Sequence, residues 1–122
     1  MPGKTYSVAE ANALLPHLAP TLVELRDVYE EAARIRTAMA RSAAGNGWSA
    51  KREKWSRKLG RVAELVARLQ EWEVILRDVD TGLVDFISER GGRPILLCWK
   101  LGEEEVAYWH SPEDGYEGRK AL

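Results

Sequence analysis

Four side chains in the C-terminal third of the chain have the chemistry of divalent-metal ligands. Cys98 offers a thiolate and His110 an imidazole, the donors that zinc prefers, while Asp85 and Glu103 add carboxylate oxygens. Neither the C-x-x-C nor the H-x-x-x-H spacing of compact metal motifs occurs, so the residue types alone support the prediction. They predict a protein that binds zinc or another divalent metal and, if the site is catalytic, a hydrolase. The alternative is structural, because a lone buried cysteine is commonly a core residue and a histidine at a strand end commonly makes a local hydrogen bond.

The distance between Cys98 and His110 depends on how the last two predicted strands are joined. A four-residue turn over residues 102–105 places Cys98 opposite Trp109, whereas a five-residue loop places it opposite His110. A shift of one residue therefore decides whether these two candidate ligands meet. The sequence leaves both registers open.

Four short runs rich in β-branched and aromatic residues form the predicted strands. They span residues 74–79, 83–87, 94–101 and 106–110, and Gly-bearing connections of three to five residues separate them. Such short connections are typical of hairpins, so the strands are predicted to form a small antiparallel β-meander. The polar residues 111–122 are predicted to lie across the surface as a C-terminal loop.

The first two-thirds of the chain have helical periodicity. The string SVAE at residues 7–10 has the form of a capping box, and apolar residues then recur every three or four positions, as in a coiled coil. Glycine and asparagine within residues 43–47 end this pattern, and a second apolar stripe follows. Two helices joined by so short a connection are predicted to form an antiparallel hairpin over residues 7–73. The two stripes comprise Val8, Ala11, Leu15, Leu18, Leu22, Leu25, Tyr29 and Ala32, and then Trp55, Leu59, Val62, Val66, Leu69, Trp72 and Leu76.

Two prolines interrupt the front of the first helical pattern. Pro16 and Pro20 each lack an amide hydrogen and crowd the carbonyl group four residues earlier. The sequence therefore predicts either a kink or a short separate helix over residues 8–15.

The first helix is too long for a compact domain of this size. A helix over residues 8–43 would extend ~54 Å, whereas a compact chain of 122 residues has a radius of gyration of only ~14 Å. The hairpin is therefore predicted to protrude and to form a homodimer or higher oligomer through a four-helix bundle. A bent hairpin that folds back over the sheet is the alternative.

The predicted fold class is α+β, with a long N-terminal antiparallel helical hairpin followed by the small antiparallel β-meander. We expect one domain over residues 1–122, in which residues 7–73 form the hairpin, 74–110 the sheet and 111–122 the C-terminal loop.

Charge is divided unevenly along the chain. The net charge of −1 at pH 7 excludes a uniform polycation such as a histone-like protein. Residues 34–61, at the far end of the hairpin, nevertheless contain nine basic groups and one acidic group. The rest of the chain contains 9 basic and 18 acidic groups. Cations and tryptophans on an exposed helical tip predict a surface for nucleic acid or another polyanion. The alternatives are a solvated face, or pairing with the acidic remainder of the chain in a dimer. The candidate contacts are Arg41, Trp48, Lys51, Arg52, Lys54, Arg57, Lys58 and Arg61.

Several function classes are excluded or disfavoured. The longest unbroken apolar run covers residues 95–99, far short of the ~20 residues that a bilayer requires, so no membrane span is expected. The chain contains no P-loop, no Rossmann glycine pattern and no G-x-S-x-G elbow. One cysteine and an N-terminus without a signal peptide lead us to expect a cytoplasmic protein. The leading interpretation is an oligomerising interaction module without demonstrable enzyme activity, and the metal-binding protein is the alternative.

Five strings, spread over essentially the whole chain, resemble a bacterial family called domain of unknown function 2203. They are SVAEANALLP at 7–16, GLVDF at 82–86, LLCWKLGE at 96–103, WH at 109–110 and GYEGR at 115–119. The resemblance implies a small cytoplasmic protein with a helical N-terminal half and implies no established activity. It places the shared polar residues at Asp85, Cys98, Glu103, His110 and Arg119. The family usually ends near a Gly-Arg-x-Pro pattern, whereas here Lys120 and Ala121 follow Arg119.

Overall fold

The computed structural model describes residues 3–42, 45 and 47–122 and consists of two long helices followed by a five-stranded antiparallel sheet. Helix α1 spans Val8–Arg41 and helix α2 spans Trp48–Glu71. The α+β class is therefore confirmed. Three residues of the predicted break between the helices, Ala43, Ala44 and Asn46, lie outside the described residues.

Helix α1 begins at the predicted capping box and continues through both prolines. The Ser7 hydroxyl accepts a hydrogen bond from the Glu10 amide at 3.1 Å, and the Glu10 carboxylate accepts one from the Ser7 amide at 2.9 Å. The short separate helix predicted over residues 8–15 does not form, because α1 is unbroken through Pro16 and Pro20. Both prolines are exposed.

The two helices are antiparallel, and their buried contacts lie at the end near the sheet. Arg61 of α2 pairs with Glu24 of α1, whereas Lys58, earlier in α2, pairs with Glu31, later in α1. No described residue from 33 to 64 is buried. The far half of the hairpin therefore lies outside the core, as the length argument predicted.

Three residues of the predicted apolar stripes are exposed. Val8 is 37%, Tyr29 is 49% and Leu59 is 39% exposed, whereas Val28 and Leu65, which lie outside the predicted stripes, are buried. A strict alternation of three and four residues is expected of a supercoil. A packed helix can bury a broader face, so a neighbouring position such as Val28 is buried instead.

The sheet is a meander with strands in sequential order. The tail predicted as a loop over residues 111–122 in fact contains a 3₁₀ turn, Tyr116–Gly118, and the fifth strand, which pairs with the fourth. The five strands are β1 (Val74–Asp78), β2 (Leu83–Arg90), β3 (Arg93–Lys100), β4 (Tyr108–His110) and β5 (Lys120–Ala121).

Neither predicted register of β4 is correct: the observed pairing is one step from the register with Cys98 opposite Trp109 and two steps from the one with Cys98 opposite His110. Cys98 lies opposite Tyr108, and His110 lies opposite Leu96. The connection between β3 and β4 is longer than predicted because the Val106 amide donates to Asn12 Oδ1 of α1 at 2.7 Å instead of joining the ladder. The observed register still places Cys98 and His110 on one face of the sheet, because His110 lies two residues beyond Tyr108, which is opposite Cys98.

The two faces of the sheet have different roles. One face contributes Val84, Phe86, Leu97 and Trp99 to a core shared with the buried side chains of both helices. The opposite face presents Asp85 and Cys98, which alternate with those residues along β2 and β3. The candidate ligands are therefore on the face that does not pack against the helices.

Candidate metal centre

Three of the predicted ligands meet on three adjacent strands. Asp85 of β2 lies directly opposite Cys98 of β3, and His110 of β4 is diagonal to Cys98. Their donor atoms all lie within 4.8 Å of one another, and the three residues are only 1–3% exposed. Buried ionisable groups are costly unless they are paired or coordinate a metal, so this juxtaposition requires an explanation.

The hydrogen bonds of His110 define which nitrogen faces the cluster. Nδ1 lies 2.9 Å from the carbonyl oxygen of Ser111, which can only accept, so Nδ1 bears the proton. Nε2 lies 3.0 Å from Oδ1 of Asp85, which in its ionised form is also an acceptor. With a neutral imidazole the two acceptors would face each other. The contact therefore requires a proton, either a second one on His110 or one on Asp85, or a cation held between the two atoms.

Asp85 is oriented from its other side by Arg77 of β1. Arg77 Nε donates to Asp85 Oδ2 at 2.8 Å, and the Asp85 side chain is buried while that of Arg77 is 47% exposed. Ile75 pairs with Asp85, and Arg77 lies at the irregularity in β1 between Leu76 and Asp78. The sequence analysis missed Arg77, because regular alternation along the predicted strand does not show such an irregularity.

Burial raises the pKa of the Cys98 thiol to about 11, and the negative charge of Asp85 adds to the shift. The guanidinium of Arg119 opposes this shift, with Nη1 3.9 Å from the Cys98 sulfur. A thiol with this pKa is protonated at neutral pH unless a metal displaces its proton.

Arg119 is held in place by the fourth predicted ligand and by two aromatic rings. It donates to Glu103 Oε2, and its guanidinium carbon lies 3.8 Å from the ring centre of Tyr108 and 4.7 Å from that of Tyr116. Glu103 Oε1 also accepts from the Lys100 amide at 3.0 Å. The structure therefore does not bring Glu103 into the ligand cluster, because both of its oxygens are engaged elsewhere.

The cluster opens into a pocket that the C-terminal segment covers. The pocket has a volume of about 330 Å³. Its remaining lining residues include Arg77, Pro112, Glu113, Asp114 and Tyr116. A small ligand in this pocket would reach the donor atoms of Asp85, Cys98 and His110.

A family model described as "Uncharacterized conserved protein (DUF2203)" matches residues 4–122. The chain belongs to this family. No curated protein and no solved structure matches it. The match spans the three clustered residues as well as Arg77, Glu103 and Arg119.

In this member of the DUF2203 family, the predicted polyanion contacts lie along the far half of the hairpin. Arg41, Arg52, Lys54 and Arg57 are exposed, and Trp48 is partly exposed. Among the described residues, no helix is long and apolar enough to cross a bilayer.

Three of the predicted contacts are engaged within the hairpin. Lys58 pairs with Glu31 at 2.7 Å, and Arg61 pairs with Glu24 at 2.6 Å. Lys51 donates to the Ser42 hydroxyl at 3.2 Å. The hairpin therefore leaves fewer free cations at its tip than the sequence count indicates.

Proposed function

We propose that the protein binds a divalent metal ion, with zinc as the best fit, through Asp85, Cys98 and His110. The observation that supports this most directly is the 3.0 Å contact between His110 Nε2 and Asp85 Oδ1, two buried atoms that can both bind a metal ion. A metal ion bound by both atoms satisfies them at once, and Cys98 supplies a thiolate donor on the same side. The donor set of sulfur, imidazole and carboxylate is typical of zinc.

Each donor also has a partner on the side away from the cluster. Arg77 contacts the second oxygen of Asp85, and the Ser111 carbonyl contacts the second nitrogen of His110. Arg119 approaches the sulfur of Cys98. Such outer contacts orient metal ligands and are typical of native metal sites.

Three protein donors beside a pocket support a catalytic arrangement rather than a purely structural one. A structural zinc ion usually has four protein ligands, whereas a catalytic ion has three and keeps a position for water or substrate. The reaction class that such a site supports is hydrolysis, with the metal activating water.

A single buried cysteine without a disulfide partner suits the reducing cytoplasm, where we place the protein.

Zinc titration of the purified chain tests the metal site, and its two histidines supply a matched pair of variants. We expect one zinc ion per chain, loss of affinity of at least about 100-fold in His110→Ala, and unchanged affinity in His17→Ala, because His17 is exposed on α1. Equal affinity in the two variants, or no stoichiometric zinc in the wild type, would contradict the proposal. In that case a proton on one of the two residues, and no metal ion, accounts for the contact.

The hairpin tip supports a second candidate function, the binding of nucleic acid or another polyanion. Among the described residues, no carboxylate forms an ion pair with the exposed Arg52, Lys54 or Arg57. Such cations can release counterions from phosphates. We expect salt-dependent RNA or DNA binding that Arg52→Glu with Arg57→Glu abolishes. The matched control, Lys4→Glu with Arg26→Glu, should bind as the wild type does; equal loss in both double variants would contradict a specific surface.

We also propose that the far half of the hairpin pairs with a second copy of the chain. Tyr29, Trp55 and Leu59 line an apolar groove of about 520 Å³ there. In an antiparallel pair of hairpins, the basic tip of each copy would approach the acidic remainder of the other, so the charges are complementary. Light scattering should give twice the chain mass for the wild type and the single mass for Leu59→Glu. A monomeric wild type would contradict the pairing.

A further inference from the structure

Four side chains beside the turn between β2 and β3 form a cationic corner that neither the metal site nor the hairpin uses. Arg90 and Arg93 face each other across the turn between β2 and β3, and Trp109 faces Lys120 across β4 and β5. All four residues line one pocket of about 330 Å³. The corner lies on the side of the sheet to which Trp109 and Phe86 project, opposite the face of Cys98.

The turn keeps the two arginines close to each other. Gly91 and Gly92 form a two-residue turn with φ of 59° and 78°, a conformation that favours glycine at both positions. Arg90 and Arg93 are directly paired in the ladder on either side of it. Like charges directly opposite each other destabilise a hairpin, so this arrangement costs stability without an anion.

The indole of Trp109 orders two of the three cations. The Arg90 guanidinium carbon and the Lys120 Nζ each lie 4.8 Å from a Trp109 ring centre. Among the described residues, no carboxylate forms an ion pair with Arg90, Arg93 or Lys120. Glu113 is the one acidic residue of the pocket lining, so the corner keeps an excess of positive charge.

We propose that Arg90, Arg93 and Lys120 bind the phosphate group of a small phosphorylated molecule. Guanidinium groups bind phosphate oxygens through paired hydrogen bonds, and a dianion offsets the repulsion between the two arginines. Pro94, Ile95 and Pro112 give the rest of the pocket an apolar wall for the organic part of the ligand. The pocket has the volume of a small-molecule site.

Calorimetric titration at constant ionic strength tests this, with inorganic phosphate and phenyl phosphate as probes. We expect both to bind saturably and phenyl phosphate to bind more tightly, because its ring contacts the apolar wall. Arg90→Gln with Arg93→Gln should weaken both by at least about tenfold. Lys4→Gln with Arg26→Gln, which removes the same charge from residues outside the corner and outside the hairpin tip, should leave binding unchanged.

Three results would overturn the proposal. These are no saturable binding by the wild type, equal weakening in the two double variants, and phenyl phosphate that binds no more tightly than inorganic phosphate. Lys120→Gln, on a different strand, provides a second variant if the double arginine variant does not fold. Pro112 and Glu113 line both this pocket and the pocket of the metal site, but none of the three cations contacts Asp85, Cys98 or His110, so the two proposals are tested separately.

Discussion

Nε2 of His110 lies 3.0 Å from Oδ1 of Asp85, across the strand to which Cys98 belongs. The second polar atom of each side chain has another hydrogen-bond partner. Asp85 Oδ2 accepts from Arg77, and His110 Nδ1 contacts the Ser111 carbonyl oxygen. Their facing atoms are therefore fixed in position, together with a sulfur that is also buried. This geometry distinguishes the cluster from a chance meeting of polar residues, and it underlies the metal proposal.

Arg119 should tune the metal affinity through the Cys98 sulfur. Arg119→Gln removes the positive charge beside the thiolate, so we expect zinc affinity to fall about tenfold, within the usual range for outer contacts. Arg119→Lys keeps the positive charge, so its zinc affinity should fall less than that of Arg119→Gln. Competition with a chromophoric chelator measures both. A fall of the same size in both variants would indicate that Arg119 acts only by packing against Tyr108 and Tyr116.

Asn12 should stabilise the connection that sets the register of β4. Asn12→Ala leaves the buried Val106 amide without its acceptor, at a cost of about 1–3 kcal/mol in the free energy of unfolding. Asn12→Asp retains an oxygen that can accept from the Val106 amide, so it should lower the free energy of unfolding less than Asn12→Ala does. Urea denaturation measures the difference, and equal losses in the two variants would contradict this role for the hydrogen bond.

Tyr6 should make the protein sensitive to high pH. Burial, and then the charges of Glu73 and Glu10, raise the pKa of Tyr6 above its ordinary value of 10.0. A raised pKa means that folding favours the neutral phenol, which donates to the Trp72 carbonyl at 2.6 Å. This stabilisation is complete below pH 10 and is lost as the pH rises through the pKa of the folded state.

Tyr6→Phe tests this pH dependence. The variant should be less stable than the wild type by about 1 kcal/mol at neutral pH, and the difference should shrink above pH 10. Urea denaturation over a series of pH values measures it. A difference that stays constant through that range would show that the phenol does not titrate as described.

Two leucines of α2 should differ strongly in their contribution to stability. Leu65 is fully buried, so Leu65→Ala should cost about 2–5 kcal/mol. Leu59 is 39% exposed, so Leu59→Ala should cost much less at low protein concentration. If the hairpins pair, the cost of Leu59→Ala should grow with protein concentration. Thermal unfolding at several concentrations measures both effects; similar costs at low concentration would contradict the placement of the core.

The architecture was largely readable from local patterns. The capping box at Ser7, the change from helical to strand periodicity after Trp72 and the short Gly-bearing connections depend on neighbouring residues, and they led to the correct class and strand order. The register of β4 was not readable in this way. It depends on the hydrogen bond between Asn12 and Val106, which are 94 positions apart.

The candidate site was also predicted only in part, because contacts between distant parts of the chain position its residues. Residue chemistry selected Asp85, Cys98 and His110, which the structure brings together. It also selected Glu103, which instead pairs with Arg119 from the C-terminal segment. That segment was expected to be a loop, because a strand of two exposed residues, one of them Lys120, has no apolar pattern.

Cobalt(II) titration followed by absorption spectroscopy tests the central claim most directly, because cobalt replaces zinc and reports its own ligands. We predict a thiolate-to-cobalt charge-transfer band that saturates at one equivalent, is absent in Cys98→Ser and is displaced by zinc. His17→Ala should give the wild-type spectrum. A wild-type spectrum without this band, or a band that persists in Cys98→Ser, would contradict the metal centre of Asp85, Cys98 and His110.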